Sequence, residues 1–161
     1  ISMTTDIVIS DMPANSTLAQ MGAQWAFDDW KETDPDDDIQ WYLNVYSESE
    51  LDPLSLPISL AAIAGNDELV GVACVVLDDA LPDAHEPGPW VAAVFVNPEY
   101  RGRSVGKQLV TEAVRRAREL GHSDVYLYTR HVAHWYETFG WERVRETQVH
   151  QKAITVMVNR G

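Results

Sequence analysis

The order of predicted strands and helices indicates one domain built on a single mixed α/β sheet. Three observations predict it. The chain has 161 residues, a length that suits one hydrophobic core. Seven short segments have the alternating or continuous apolar residues of strands, and four have the three-to-four-residue spacing of helices. We place the domain at residues 3–161, because Ile1 and Ser2 precede Met3 and are interpreted as the remnant of an expression tag.

The first eighty residues predict a strand, two helices and a β-hairpin. Ser16 is a suitable cap for the first helix, whose apolar residues follow at helical intervals. The second helix is expected to end at Pro53 and Pro57, and the segment GNDE is expected to turn the hairpin. The predicted bounds are 6–11 for the first strand, 16–30 and 39–49 for the helices, and 58–65 and 68–79 for the hairpin strands.

The second half predicts four more strands and two more helices. The segment 78–89 is rich in Pro, Gly and acidic residues and is expected to be an exposed loop. The clearest helix carries an apolar stripe from Val105 to Leu120 and stops at Gly121. The predicted bounds are 89–98, 124–129, 141–150 and 151–159 for the strands, and 104–120 and 132–139 for the helices.

Charge is divided unevenly along the chain. Residues 1–100 hold one basic residue, Lys31, and 19 acidic ones, whereas residues 101–161 hold 11 basic and 6 acidic residues. A nucleic-acid partner is not expected, because phosphate-backbone binding needs a broad basic footprint. A small anionic ligand near the basic segment stays open. The acidity itself has two interpretations, a solvated surface or an acidic rim that attracts cationic substrates.

Several other classes of protein and site are not expected. Cys74 is the single cysteine and lies in an apolar run, so we expect a buried, inert thiol and a reducing compartment. No apolar stretch approaches the roughly 20 residues that span a bilayer, so we expect a cytoplasmic protein without a membrane partner. His131 and His134 lie three residues apart without a third ligand, and no metal is predicted.

The stretch YRGRSVGKQL at 100–109 leads from a buried strand into the clearest helix. A helix N-terminus presents unpaired N–H groups and the positive end of the helix dipole, which suit a phosphate. Arg101, Arg103 and Lys107 add positive charge there. The glycine spacing fits neither a Rossmann fold nor a P-loop. An ordinary glycine turn before a surface helix is the alternative.

Two motifs resemble those of the GNAT superfamily of N-acetyltransferases. Residues 101–106 are similar to its coenzyme A signature, [QR]-x-x-G-x-[GA], and WYETFGW at 135–141 is similar to its second signature. The resemblance covers about residues 58–158 and implies a mostly antiparallel sheet of six or seven strands flanked by about four helices. Ser104 departs from the signature glycine, and Arg130 stands where many members have Asn. A right-handed backbone suits Ser104, whereas a left-handed one costs about 1 kcal/mol or more.

The resemblance also implies which residues bind acetyl-CoA and protonate its thiolate. The pantetheine arm would pair with the strand at 93–96, where an N–H group of Phe95 or Val96 would face the thioester oxygen. Tyr136 matches the family tyrosine that protonates the departing thiolate, and simple packing is its alternative role. The coenzyme-binding residues implied are Phe95, Val96, Arg101, Gly102, Arg103, Ser104, Val105, Gly106 and Lys107.

The amine acceptor is expected to contact the first two helices and their loop, which in this family cover one side of the cleft. Trp30, Trp41 and Tyr42 would form an aromatic wall, with Asp34 and residues 36–38 as an acidic edge, unless the aromatic residues belong to the core. The candidates for the general base or for a substrate contact are Asp78, Asp79, Asp83, His85, Glu86 and His134.

The sequence therefore predicts an N-acetyltransferase, monomeric or homodimeric, that moves an acetyl group from acetyl-CoA to a primary amine. The amine is a small cationic molecule or belongs to a peptide or protein. Direct attack in a ternary complex is expected, because the only thiol, Cys74, is predicted to be buried. A non-catalytic acyl-CoA-binding module and an acidic protein-interaction domain are the alternatives.

Overall fold

The computed structural model describes residues 6–52 and 54–161. The tag interpretation of residues 1–2 and the helix-ending role of Pro53 therefore lie outside the described residues. The strands of the described ranges are β1 (Ile7–Asp11), β2 (Ile58–Ala64), β3 (Leu69–Val76), β4 (Trp90–Val96), β5 (Val125–Thr129), β6 (Glu142–Val149) and β7 (Lys152–Asn159). The α-helices are α1 (Thr17–Trp30), α2 (Ile39–Leu51), α3 (Val105–Glu119) and α4 (Ala133–Glu137).

The strands form one sheet in the order β1-β2-β3-β4-β5-β7-β6. The pair β4 and β5 is parallel, and the other neighbours in this order are antiparallel. The prediction of a single mixed, mostly antiparallel sheet with about four helices is confirmed. The element order is also as predicted, although helix and strand ends differ by up to three residues.

Two apolar clusters lie on opposite faces of the sheet. One joins the sheet to α3 and α4 and includes Leu109 and Tyr136, and the other joins it to α1 and α2 and includes Ala23 and Tyr46. Strand β3 is buried along its whole length, because it lies inside the sheet and is covered on both faces. Cys74 on this strand is 0% exposed, as predicted.

Side-chain caps fix the starts of the two helices α1 and α2, which border the candidate site described below. Ser16 accepts the N–H of Ala19 at the start of α1, and Asp38 accepts the N–H of Gln40 at the start of α2. A short 3₁₀-helix over Pro98–Tyr100, which the sequence did not predict, follows β4.

No helix of the described ranges has both the length and the apolar character needed to cross a membrane.

The sheet opens between β4 and β5. Within the described chain the registered pair between them is Trp90 with Tyr126, whereas β5 pairs with β7 along all five of its residues. The register of β3 and β4 shifts after Ala92, and Ala93 has a positive φ of 54°, which marks a β-bulge. The bulge bends β4 at the point where it leaves β5, and the sheet therefore splits there.

Candidate active site

A cleft of about 400 Å³ lies where β4 and β5 separate. Its wall includes residues 91–94 of β4 and 127–129 of β5. Tyr136 of α4 borders it from one layer of helices, and Trp30 and Trp41 border it from the other. The cleft therefore connects the two faces of the sheet.

The turn before α3 contains two residues in the left-handed region. Gly102 has a φ of 83° and Ser104 a φ of 63°. Ser104 is the cap residue of α3, but its side chain makes no capping hydrogen bond. A side chain at Gly106 would lie 3.1 Å from Trp135, so this glycine allows the close approach of α3 and α4. The first N–H groups of α3 have no acceptor within the helix, which leaves them available to an anion.

Three basic side chains surround this turn, and none of them forms an ion pair with a carboxylate of the described residues. The guanidinium of Arg101 lies 5.4 Å from the Phe95 ring, and that of Arg103 lies 5.2 Å from the Tyr100 ring. The ammonium of Lys107 lies 5.9 Å from the ring of another aromatic residue, Phe139. Because their charges are not neutralised by an ion pair, the residues present fit the phosphates of coenzyme A.

Ser104→Gly is expected to raise the free energy of unfolding by about 1 kcal/mol, because glycine adopts a left-handed backbone without the strain that serine has. Urea unfolding measures that change. Acetyl-CoA binding, followed by calorimetry, should tighten by less than about tenfold. Ser104→Ala is the control: it keeps the strain, removes the hydroxyl and should bind within about twofold of wild type. Loss of binding in both variants would show that the hydroxyl is itself a phosphate ligand.

The end of β4 directs one backbone N–H group away from β3. The N–H of Asn97 donates to the carbonyl of Val70 at 2.8 Å. Because bonded and non-bonded positions alternate along an antiparallel ladder, Phe95 faces β3 in the same way and Val96 faces the other side. The carbonyl of Val96 accepts the Nε of Arg101 at 3.3 Å, which agrees with that direction. Of the two predicted donors, Val96 therefore has its N–H directed away from the ladder.

Tyr136 lies at the cleft with 6% of its surface exposed. Its ring packs on Trp135, Phe139 and Trp141 at centroid distances of 4.8, 5.7 and 5.8 Å. Burial raises the pKa of Tyr136 well above its ordinary value, and the negative charge of Asp29 adds to the rise. The phenol is therefore protonated near neutral pH and can act as a proton donor.

Asp29 is a cleft residue that the sequence analysis missed. It lies exposed at the rim, on the last turn of α1, and desolvation by the surrounding protein raises the pKa of its carboxyl while the charges of Arg101 and His131 oppose the rise. Its neighbour Asp28 lies outside the cleft wall and pairs with Lys31 at 2.9 Å, which lowers its pKa. Ala26, one turn earlier, also lines the cleft, so helical spacing was the available signal.

The predicted acceptor residues Trp30, Trp41 and Asp79 all line the cleft. Burial raises the pKa of Asp79 well above its ordinary value, and Tyr128 donates its hydroxyl to the backbone carbonyl of Asp79 at 2.8 Å. Tyr42 donates its hydroxyl to Asp37 at 2.7 Å. Aromatic rings and carboxyl groups thus meet at the α2 end of the cleft.

Glu86 and His134 were also predicted to contact the acceptor, but the structure places both away from the cleft wall. Arg145 binds both carboxylate oxygens of Glu86, at 2.8 and 3.0 Å, and holds the pKa of Glu86 at about 2. The side chain of Glu86 is 5% exposed, whereas that of His134 is 91% exposed. Arg145 also pairs with Asp83 at 3.1 Å, so the loop before β4 is fastened to β6.

Three further predicted residues lie at the edges of the site. Arg130 lines the cleft and donates to the hydroxyl of Thr33 at 3.3 Å. Asp34 and Asp36 of the predicted acidic edge lie 3.0 and 3.4 Å from His150, in the β6–β7 turn. Ligand atoms of these last three residues lie within 4.8 Å of one another, a spacing that could hold a cation. The Nε2 atom of His150 contacts both carboxylates directly, so the three side chains also satisfy one another without a cation.

Glu86→Gln is expected to lower the free energy of unfolding near neutral pH by about 1 to 3 kcal/mol. The upper figure is the free-energy equivalent of the pKa shift, and solvent screening reduces it. The pKa is lowered on folding, so the stabilisation is complete above the ordinary pKa of 4.5 and is lost as the pH falls towards 2. Urea unfolding at about pH 7 and about pH 3 measures this, with exposed Glu146→Gln as the control. An unchanged difference between wild type and Glu86→Gln at the two pH values would contradict the ion pair.

Comparison with known proteins agrees with this geometry. The model of the acetyltransferase (GNAT) family matches residues 16–141. An amino-acid acetyltransferase of Pseudomonas syringae pv. syringae is 35% identical over 71 residues, which are 44% of this chain and 16% of that protein. The matched segment thus spans about a sixth of the length of that relative.

Two solved structures share the fold. A putative acetyltransferase from Acinetobacter baylyi ADP1 has a TM-score of 0.75 at 14% identity and covers 100% of this chain and 95% of its own. N-acetylglutamate synthase from Neisseria gonorrhoeae, solved with coenzyme A and N-acetyl-glutamate, has a TM-score of 0.69 at 16% identity and covers 99% of this chain and 36% of its own. Because the family model matches most of the chain, as the two motifs predicted, this chain belongs to the acetyltransferase (GNAT) family.

Proposed function

We propose that this chain transfers an acetyl group from acetyl-CoA to a primary amine by direct attack in a ternary complex. One observation carries the proposal: a single cleft through the split sheet borders both a buried proton donor, Tyr136, and an acidic, aromatic wall with Trp41 and Asp79. A donor and an acceptor that enter from opposite faces can meet there.

The turn before α3 binds the donor. The N–H groups at the start of α3 and the side chains of Arg101, Arg103 and Lys107 hold the pyrophosphate. The edge of β4 that faces the split pairs with the pantetheine arm. The N–H of Val96 then stabilises the oxyanion, a contribution that is typically worth about 3 kcal/mol of the barrier for a fixed donor.

Tyr136 and Asp29 move the protons. A lysine-like amine has a pKa near 10.4 and must lose a proton before it attacks. The attack forms the N–C bond and breaks the C–S bond. Of the two protons that the ammonium loses, one leaves through Asp29 to solvent, and the other replaces the proton that Tyr136 gives to sulfur.

Direct attack is favoured over a covalent acetyl-enzyme. Burial raises the pKa of Cys74 to about 12, and the thiol lies 3.8 Å from the hydroxyl of Ser59 inside the core. A thiol at that position is neither ionised near neutral pH nor accessible to acetyl-CoA. The proposed route therefore needs no enzyme nucleophile.

A panel of primary amines, with coenzyme A release as the readout, tests the proposed function. Release that depends on both acetyl-CoA and an amine is the expected result. Tight binding of acetyl-CoA without amine-dependent release for any amine, including peptides with free N-termini and lysines, would contradict the proposal. That outcome would identify a coenzyme-binding module instead.

A further inference from the structure

The α2 end of the cleft is built from aromatic rings and carboxyl groups. Trp30 and Tyr128 lie 5.6 Å apart, and Trp41 and Tyr42 lie 5.0 Å apart, measured between ring centroids. All four rings line the cleft. Asp79 lies on the same wall, and Asp37 accepts a hydrogen bond from the hydroxyl of Tyr42. We name this set of six residues the aromatic end of the cleft. Five of them line the cleft, and Asp37 contacts the cleft wall through the hydroxyl of Tyr42.

This end of the cleft has carboxyl groups without a matching cation. Neither Asp37 nor Asp79 forms an ion pair in the described part of the chain. The charges that act on Asp79 are those of Asp78 and Asp37, both negative, and burial is the largest influence on it. Burial is also the largest influence on Asp37, beside the charges of Asp34 and Asp38. Half-buried carboxyl groups without a counter-ion are costly to ionise, and a bound cation would offset that cost.

The basic residues of the cleft lie elsewhere. Arg130 donates a hydrogen bond to Thr33. The charge of His131 lowers the pKa of Asp29, which lies at the rim beside Tyr136. The cleft therefore has two different ends: the Tyr136 end, where protons are exchanged, and the aromatic end, where carboxyl groups lack a cation. Aromatic faces combined with carboxylates are the arrangement that binds alkylammonium groups.

We infer that the aromatic end of the cleft binds an ammonium group, so that the acceptor is a diamine or polyamine with one amine acetylated beside Tyr136 and another held by Asp79. This inference rests on the proposed function. It narrows the acceptor from any primary amine to a molecule with two positive charges separated by an apolar spacer. The spacer lies against the apolar wall that Ala92, Val94 and Leu127 provide.

Matched acceptors test the inference. Putrescine and butylamine have the same carbon chain and differ in the second amine. With wild-type protein, kcat/KM for putrescine should exceed that for butylamine by about tenfold or more. Asp79→Asn should raise KM for putrescine by about tenfold, keep kcat within about threefold and leave butylamine nearly unchanged. Asp78→Asn is the control, because Asp78 is an exposed neighbour outside the cleft wall.

Equal kcat/KM for the two acceptors, or an equal KM increase for both in Asp79→Asn, would overturn the inference. If thermal unfolding shows that Asp79→Asn does not fold, Asp37→Asn makes the same comparison at the carboxylate that accepts the Tyr42 hydroxyl.

A binding measurement separates this inference from the proposed function. Calorimetry with tetramethylammonium chloride needs no catalysis, and binding should be detected in wild type and weakened about tenfold in Asp79→Asn. If no amine releases coenzyme A but tetramethylammonium binds in this manner, the proposed function fails and the ammonium site stands. If amines are acetylated but tetramethylammonium affinity is the same in both proteins, the ammonium site fails and the acetyltransferase stands.

Discussion

Tyr136→Phe is expected to lower kcat for amine acetylation by about 100-fold or more while KM for acetyl-CoA stays within about twofold. The departing thiolate then has no proton donor. The physical reason is the position of the phenol: it borders the cleft, is 6% exposed and is protonated near neutral pH. Phenylalanine keeps the ring contacts with Trp135 and Phe139, so folding and coenzyme binding should persist.

Steady-state coenzyme A release with a saturating amine measures this loss. Tyr126→Phe is a matched control, because Tyr126 packs on Trp90 and does not line the cleft. Its kcat should stay within about twofold of wild type. Full activity in Tyr136→Phe would leave the residue a packing role alone, and water would have to protonate the thiolate.

Asp29→Asn is expected to lower kcat/KM by about 100-fold, because the amide cannot accept the proton of the ammonium. Asp28→Asn is the control, since it removes an exposed carboxylate on the same turn that pairs with Lys31. Its kcat/KM should change by less than about twofold. If the two variants lose the same activity, the effect comes from the net charge of the rim and Asp29 is not the base.

The pH profile gives a second readout for Asp29. Its pKa is raised by burial, so the ionised, active form is lost as the pH falls through a value above the ordinary 3.8. In wild type kcat/KM should therefore decline on the acidic side at a pH above that of a free aspartate. The acidic decline should disappear in Asp29→Asn and persist unchanged in Asp28→Asn. Its persistence in Asp29→Asn would contradict the assignment.

Most of the fold was predictable from local pattern. The apolar stripe of α3 follows from periodicity, the Ser16 cap of α1 from its residue type, and the buried strand β3 from its continuous apolar run. The structure has all three where the sequence indicates. The opening between β4 and β5 was not predictable in the same way. It depends on a bulge at Ala93 and on the register of strands that are distant in sequence.

The site residues were predictable where they belong to one contiguous motif. They were less predictable where contacts between distant parts of the chain determine their role. The turn at 101–106 carries its own signal in its glycines and basic residues. Glu86 shows the opposite case, because Arg145 lies 59 residues away and occupies its carboxylate. Asp29 was missed because an Asp-Asp pair has the pattern of a solvated helix end, and its helical spacing from Ala26 becomes informative only once the cleft wall is known.

Initial rates measured while acetyl-CoA and an amine are varied together are the most direct test of direct attack in the cleft between β4 and β5. A ternary complex requires both substrates to be bound at once, so double-reciprocal plots should give lines that intersect. Coenzyme A release should also depend on the amine. Parallel lines, the pattern of an acetyl-enzyme intermediate, would contradict direct attack.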